Sequence, residues 1–405
     1  PFKDFRIVKS HVNFIFRDTT KYHPRSIKEK TVKFSKLAKV AVVATVSVAL
    51  AIPSYTTATA ASKFDTAKSA AEAGGMAALR SQCKKEGQIN IIATPDDWAN
   101  YGAIKKAFVA KYGIKMDSAD EEGSSQDEIN AADRLKGTNR SPDVFDIGTS
   151  VAVKYTTTHF APYKVQVWQN IPAANKNADG YTTNNYTGTM SIWYSGDLPT
   201  INSLDDLLKP EFKGKVALNG DPQGSNAALS GLFMVSIAKG GSFDNIQPAV
   251  DFFKKLKAAG NFINVNPTAA TIASGQTPVV IDWTYNQVGA AEKFKAVGKV
   301  WKSFIPKNAI VGSFYNAAIS AWAPHPACAR LWMEFIYTPY AQNVWAAAGA
   351  SPVLWPVLLK RNQASEDGKA AVGSGRAFAA SATAAQQLKA RDILKTAWPA
   401  AVGTN

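Results

Sequence analysis

With 405 residues, 46% hydrophobic and 19% charged, the chain can bury a large core and is too long for one domain of common size. This excludes disorder over most of its length and predicts two domains. The net charge of +15 suggests a nucleic-acid partner, but residues 1–62 hold 11 Lys/Arg and 3 Asp/Glu, leaving 46 − 11 = 35 basic and 31 − 3 = 28 acidic residues, or +7, for residues 63–405.

The first predicted element is a targeting segment. Residues 1–31 have no clear helical or strand period and no initiator Met, and are read as an upstream extension before a start near Val32. Lys33, Lys36 and Lys39 then precede the apolar run VAVVATVSVALAI (40–52), followed by Pro53 and by Ala58-Thr59-Ala60, an A-x-A cleavage pattern. The run is shorter than the roughly 18 apolar residues of a membrane span. Residues 32–60 are therefore expected to be a signal peptide, cleaved near Ala60, with the product released to the periplasm. No Cys follows the run to carry a lipid. Cys83 and Cys328 can pair in an oxidising compartment, but the 244 residues between them carry no information on proximity, and two buried thiols are the plainer expectation.

From about residue 66 helices and strands alternate. "TAKSAAEAGGMAALRSQCKKEG" reads as a helix, "QINIIAT" as a strand, "WANYGAIKKAFVAKYG" as a helix and "IKMDSAD" as a strand. After the helical "DEINAADRLKG", the short strand "SPDVFDIGTS" ends in Thr149 and Ser150. Such order predicts a parallel sheet with helices on both faces, whose strand C-termini share one edge. That edge collects Asp97–Tyr101 and Asp146–Ser150. The stretch "PDDWANY" equally fits a capped helix, with Asp97 as N-cap and Trp98 and Tyr101 packed inward. The middle repeats the scheme with "TMSIWYS" (189–195), "KVALNGD" (215–221), the helix "NAALSGLFMVSIAKGG", "PVVIDW" (278–283) and the helix "NQVGAAEKFKAVG". A late strand, "SFYNAAISAWA" (313–323), precedes the helix "ACARLWMEFIYTPYAQNVWAAAG", and the Ala-rich C-terminal third is helical.

Catalytic signatures are sparse. Past the leader only His159 and His325 remain, and His325, between Pro324 and Pro326, reads as a surface loop residue. There is no H-E-x-x-H, no G-x-S-x-G elbow and no Gly-rich dinucleotide turn, and "NGDPQGSN" lacks the Lys-Ser/Thr pair of a phosphate loop. Asp96, Asp97 and Asp282 are a conceivable cation site without the D-x-D-x-D spacing that hard cations favour. No catalytic residue, metal or cofactor is expected. What recurs at strand ends is an aromatic beside a small polar or acidic group: Trp98 and Tyr101 with Asp97, Trp283 and Tyr285 with Asp282 and Asn286, Phe314 and Tyr315 with Asn316, and Asp221 followed by Ser225 and Asn226.

With the leader, the segments "GQINIIATPDDWANYGAIKKAFVAKYGIKM", "SPDVFDIGTS", "SLDDLLKPEFKGKVALNGDP", "TPVVIDWTYNQ" and "FYNAAISAWAPHPACARLWMEFIY" together resemble the extracellular solute-binding proteins of ABC importers, in the branch with spermidine/putrescine-, ferric-iron- and phosphonate-binding members. The resemblance spans roughly residues 66–350, and its most specific piece is L-x-D-L-L-x-P-E-F-K-G-K. It implies an α/β, two-lobed periplasmic-binding-protein fold of type II, each lobe a mostly parallel sheet flanked by helices and hinged by crossing strands. Lobe 1 would take 63–187 plus 313–405 and lobe 2 would take 188–312.

The same resemblance implies a monomer that captures a small solute and delivers it to ABC importer permease subunits, with no nucleic acid involved. Trp98 and Tyr101 stand where polyamine-binding members carry W-x-x-Y, Trp283 matches the second-lobe tryptophan, and Asp221 matches a carboxylate before the second-lobe helix. Where those members have a second acid this chain has "PQGSN", and Asn316 replaces an amine-binding Asp; Asp97 and Asp282 could substitute. Iron-binding members use paired tyrosines, whereas "FYN" supplies only Tyr315, so iron is not expected. The implied ligand set is Asp97, Trp98, Tyr101, Thr149, Ser150, Asp221, Ser225, Asn226, Asp282, Trp283, Tyr315 and Asn316, around a polyamine-like or other amine-bearing compound. The alternative is a phosphonate-like or zwitterionic solute at the helix opened by Gly224-Ser225-Asn226, where backbone N–H groups and the dipole favour an anion. A secreted enzyme using the same cleft is the second class of function. A secreted nucleic-acid binder is the third, resting only on the +7 balance, with no RRM-like or helix-turn-helix signature behind it.

Overall fold

The computed structural model describes residues 62–373, 375 and 378–403; the predicted signal peptide and the segment before it lie outside them. In chain order α1 (Met76–Glu86) ends on Gly87, whose φ of 73° suits a left-handed C-cap, and leads into β1 (Gln88–Ile92). Then come α2 (Tyr101–Tyr112), β2 (Lys115–Ala119), α3 (Ser125–Leu135), β3 (Val144–Gly148) and α4 (Thr149–His159). Ser124 and Asp127 close a reciprocal capping box that starts α3 at this point. Two strands follow, β4 (Thr183–Thr187) and β5 (Met190–Ser195), and then β6 (Val216–Leu218), α5 (Asn226–Ala238), α6 (Gln247–Ala258), α7 (Ala269–Ala273), β7 (Val279–Trp283), α8 (Thr284–Ala296) and β8 (Trp301–Phe304). The chain ends through β9 (Phe314–Ser320), α9 (Pro326–Ile336), α10 (Pro339–Ala347) and α11 (Ala384–Val402). The predicted single helix after β9 is two, because Pro339 cannot donate to the preceding turn and Thr338 caps a new start.

One sheet orders Ser351–Pro352, β4, β9 and β3; the other orders β6, β7, β5 and β8; β1 and β2 pair in parallel beside β3. The class is α/β as expected, but the sheets are mixed rather than mostly parallel. Among the named strands only β1–β2 and β6–β7 pair in parallel, while β3–β9, β4–β9, β5–β7 and β5–β8 are antiparallel. The reason lies in how the chain passes between sheets. The C-termini of β3 and β4 face the start of β9, as the pairs Gly148 with Tyr315 and Thr187 with Phe314 record, and the end of β7 at Trp283 faces the start of β5 at Met190. A strand that arrives from the other sheet must run against those that point their ends toward it.

The core follows the apolar pattern. Eleven successive residues of α5, Asn226–Ser236, are buried, so this helix lies inside rather than on a surface. Fully burying each of its Leu and Phe side chains contributes about 1.5–3 kcal/mol. Cys83 and Cys328 form a disulfide, correcting the expectation of separate thiols: packing of α1 against α9 brings their Cα atoms to 4.5 Å. His325 is buried rather than on a surface loop. Its N–H and Nδ1 meet the Asp143 carboxylate at 2.7 and 2.8 Å, and Asp143 also accepts from Asn90 N–H at 2.6 Å. A buried carboxylate needs such donors, and the histidine supplies two.

The last helix, α11, packs on α4 and on α6. Trp398 lies edge-on to Phe253 and Phe262 at 5.1 and 5.9 Å, while Gln387 Oε1 accepts from Ser150 N–H at 3.1 Å. This helix therefore joins a helix that follows β3 to one that follows β6. Among the described residues no helix is long and apolar enough to cross a membrane.

Candidate functional site

Between the ends of β3, β4 and β7 lies a cleft whose first wall is the "PDDWANY" turn. Asp97 is not the helix cap predicted as one option: its side chain makes no capping hydrogen bond, and α2 starts after Ala99 and Asn100 adopt φ of 48° and 62°. Left-handed backbone at two successive non-glycine residues is uncommon and costs about 1–3 kcal/mol each. The turn is held by Gly102 N–H donating to Asp96 C=O at 2.9 Å and by Lys105, whose Nζ donates to Thr94 C=O and meets Asp96 and Glu121. Asp96 is thereby committed to a lysine, which answers the conceivable Asp96, Asp97 and Asp282 cation site. Among the described residues no cluster of three His, Cys, Asp or Glu side chains could hold a metal ion.

Trp98 is the hub. Its Nε1 donates to Tyr186 Oη at 2.7 Å, and its ring lies edge-on to Tyr285 at 5.7 Å and Tyr315 at 5.6 Å. It also lines two adjoining cavities that share Pro95, Glu122 and Asn219.

The inner cavity, about 60 Å³, is lined by Glu121, Glu122, Glu128 and Asp146 and by no Lys or Arg. Glu121 is paired with Lys105, and Glu122 stands exposed at the rim. Asp146 and Glu128 are buried, and no cation among the described residues pairs with them. Asp146 accepts from Asn185 Nδ2 and Tyr186 Oη, yet burial pushes its carboxyl up to about 6. Glu128 accepts from Asp146 N–H at 3.0 Å, and burial together with the Asp146 charge raises it well above the usual carboxylate range. Across the cavity Asn226 Nδ2, at the first turn of α5, is buried with no hydrogen-bond partner among the described residues.

The outer cavity, about 320 Å³, has Asp282 on its floor. This carboxylate accepts from Asn219 Nδ2 at 2.6 Å, Gln287 Nε2 at 2.8 Å and Asn286 Nδ2 at 3.2 Å; burial still raises it to about 6. Trp301 Nε1 donates to Gln287 Oε1 at 3.1 Å, which turns the amide's N–H₂ toward Asp282. Lys293 Nζ stands 3.5 Å from Asp97 Oδ2 across the mouth.

Of the twelve predicted contacts, six line the cavities: Asp97, Trp98, Ser225, Asn226, Asp282 and Tyr315. The other six do not. Tyr101 is buried against Tyr186 and Trp345, and Trp283 is fully buried in a stack on Tyr285. Asp221 accepts from Gln223 N–H and shapes the turn before α5. Thr149 and Asn316 bond each other at 3.1 Å, and Ser150 Oγ accepts from Arg391 Nε at 2.6 Å. The predicted set lacks Glu122, Glu128, Asn219, Asn286 and Asp146, of which Asp146 is expected from sequence only on the shared sheet edge. The signal available was a single acid inside an otherwise apolar strand, in "VFDIG" and "VVIDW" alike.

Gly148 closes the contact between the sheets. A Cβ there would run into Asn226 Cβ, far inside any tolerated separation, although the glycine's own φ of −65° suits any residue. Gly148→Ala is expected to fold but to hold the start of α5 away from β3, weakening ligand binding at least tenfold. That corresponds to about 1.4 kcal/mol, within the usual 1–3 kcal/mol for overpacking. Calorimetry with small-angle scattering would show it as lower affinity and a larger radius of gyration; unchanged values of both would refute the steric account.

The sequence profile of the bacterial extracellular solute-binding proteins matches residues 140–374. Solved structures of the same two-lobed fold include iron-bound HitA from Pseudomonas aeruginosa, 19% identical over 78% of this chain and 99% of that one, with a TM-score of 0.55. AfuA from Actinobacillus pleuropneumoniae, with exogenous fructose-6-phosphate bound, is 18% identical over 79% and 99%, with a TM-score of 0.55. The spermidine/putrescine ABC transporter substrate-binding protein PotD from Streptococcus pneumoniae is 17% identical over 71% and 89%, with a TM-score of 0.51. At these identities the likeness is one of fold.

Proposed function

The chain belongs to the bacterial extracellular solute-binding proteins, a family of transport-associated binders rather than enzymes, and from that starting point we propose that its solute bears an amine. Lobe 1 (63–187 and 313–405) and lobe 2 (188–312) close over the solute, with α11 reaching across both, and the loaded protein delivers it to an ABC importer's permease subunits from the periplasm. The observation that carries this reading is the inner cavity, where Glu128 and Asp146 are buried with Glu122 at the rim and no cation among the described residues faces them. Two neighbouring buried carboxylates without a counter-charge are costly. An ammonium there supplies the counter-charge and gains a charge-assisted hydrogen bond of about 1.5–3 kcal/mol to Glu128, whose Oε2 alone accepts from the backbone, while both Asp146 oxygens stay with Asn185 and Tyr186 and add their charge.

A zwitterion is the second reading, favoured by the unpartnered Asn226 Nδ2 at the α5 start. Its anionic end would face Asn226 while its ammonium faces the acids. A simple anion would meet Glu128 and Asp146 directly.

The pH dependence of binding separates these cases. An amine needs the carboxylates ionised, and Asp146 titrates near 6 with Glu128 raised above its usual range. Affinity for an amine is therefore expected to fall about tenfold between pH 8 and pH 5 through Asp146 alone, and further through Glu128, with protons released on binding near neutrality. Calorimetry in buffers of different ionisation enthalpy reads both effects. Affinity that instead rises as the pH falls would overturn the amine reading in favour of an anion.

A further inference from the structure

The two cavities differ in chemistry as well as size. The inner one is acidic and just large enough for an ammonium head. The outer one, about 320 Å³, has an apolar wall built from Ile272 and Ala273 at the end of α7 and Ala290 and Phe294 on α8, facing Trp98. An apolar cavity of about 150 Å³ already accommodates a benzene ring, so this chamber takes a ring with its substituents.

A second ammonium is poorly served there. Asp282 has both oxygens engaged, Oδ1 by Asn219 and Asn286 and Oδ2 by Gln287 and Asn286. The other acids of the chamber do not replace it: Asp97 is paired with Lys293 and Glu122 is exposed at the rim, while Lys299 adds a positive charge to the same lining. One acceptor is left open: Asn286 Oδ1 is buried without a partner among the described residues, while its Nδ2 is committed to Asp282. A linear polyamine, with charges spaced along a thin chain, would leave the apolar wall unfilled and bring its second charge toward the lysines.

We infer that the outer chamber selects an amphipathic amine, with one ammonium in the acidic pocket and an aromatic body against Ile272, Ala273 and Phe294, in preference to linear polyamines. The inference rests on the amine reading above and deepens it. A hydroxyl or ring N–H on that body reaches Asn286 Oδ1, so a hydroxylated or indolic ring binds better than a bare one.

The test is calorimetry at pH 8 with four probes: phenethylamine, tryptamine, putrescine and spermidine. The two aryl amines are expected to bind at least tenfold more tightly than the two polyamines, with tryptamine ahead of phenethylamine. Polyamines that bind as well or better would overturn this inference and leave the amine reading intact, whereas no binding by any of the four would overturn the amine reading itself. Ala273 is exposed, so Ala273→Leu fills the chamber with little risk to the fold, which thermal melting checks. This variant should lose at least tenfold in tryptamine affinity and change putrescine affinity less than twofold; unchanged tryptamine affinity would remove the chamber from the site.

Discussion

Arg391→Met is expected to lower the stability of the protein by about 3–5 kcal/mol, the loss typical of removing one partner from a buried, hydrogen-bonded charge site. Arg391 is buried on α11 and donates from Nε to Ser150 Oγ at 2.6 Å, from Nη1 to Pro222 C=O at 2.9 Å and from Nη2 to Ser225 C=O at 3.2 Å. One side chain thus ties the start of α4 to the turn before α5. Burial lowers its pKa to about 10, with the Asp221 charge partly offsetting that effect, so it stays charged at neutral pH. Methionine fills a similar volume without a donor and deprives two buried acceptors, Pro222 C=O and Ser150 Oγ, of their partner at about 1–3 kcal/mol each, while Ser225 C=O keeps Leu229 N–H at 3.2 Å. Arg391→Lys should recover less than half of the loss, because a point ammonium cannot reach three acceptors in a fork. Urea unfolding measures both variants. A loss below about 1 kcal/mol for Arg391→Met, less than one unsatisfied buried carbonyl, would mean that α11 is not fastened through this residue.

Asp146→Asn is expected to act in opposite directions on stability and on binding. The carboxyl titrates near 6 in the folded protein against 3.8 ordinarily. The folded state therefore holds the proton more tightly, and stability falls as the pH rises from about 4 through 6. Above that window the ionised group costs up to about 3 kcal/mol. Removing the charge should raise stability at pH 7.5 by about 1–2 kcal/mol after the weaker bonds to Tyr186 and Asn185 are counted, and should do nothing below about pH 4. Amine affinity at pH 7.5 should fall roughly tenfold to a hundredfold, the loss of one of the two buried charges beside the ammonium. A variant that is more stable and binds less well identifies Asp146 as retained for the ligand; one that is less stable and binds normally identifies it as structural.

The resemblance at Asp221 illustrates the limit of matching residues by position. Its place before the second-lobe helix is as expected, but the carboxylate turns to Gln223 N–H and lies near Arg391 rather than lining a cavity. The two buried acids that line the inner cavity come from a strand interior, Asp146, and from a helix, Glu128. Trp283 fails for a related reason. Its strand, β7, is buried on both faces, so an aromatic there enters the core whichever way it points.

Features that depend on neighbours along the chain were legible before any packing was known. Period, caps and glycine stops located β1, α2, β3, α5, β7 and β9, because the hydrogen bonding of a helix or the alternation of a strand is written within a dozen residues. The family was legible too, through motifs spread in order over both halves. Contacts between distant segments were not, since no local pattern encodes them. Packing ran β5 and β9 antiparallel to their neighbours because they enter from the cleft, paired Cys83 with Cys328, and buried His325 against Asp143. It carried α11 onto α4 and α6 and gathered Asp146, Glu128 and Asn226, from three separate elements, around one small cavity. Burial and charge proximity are properties of the packed molecule, and they alone separate an acid that shapes a turn from one that waits for a cation.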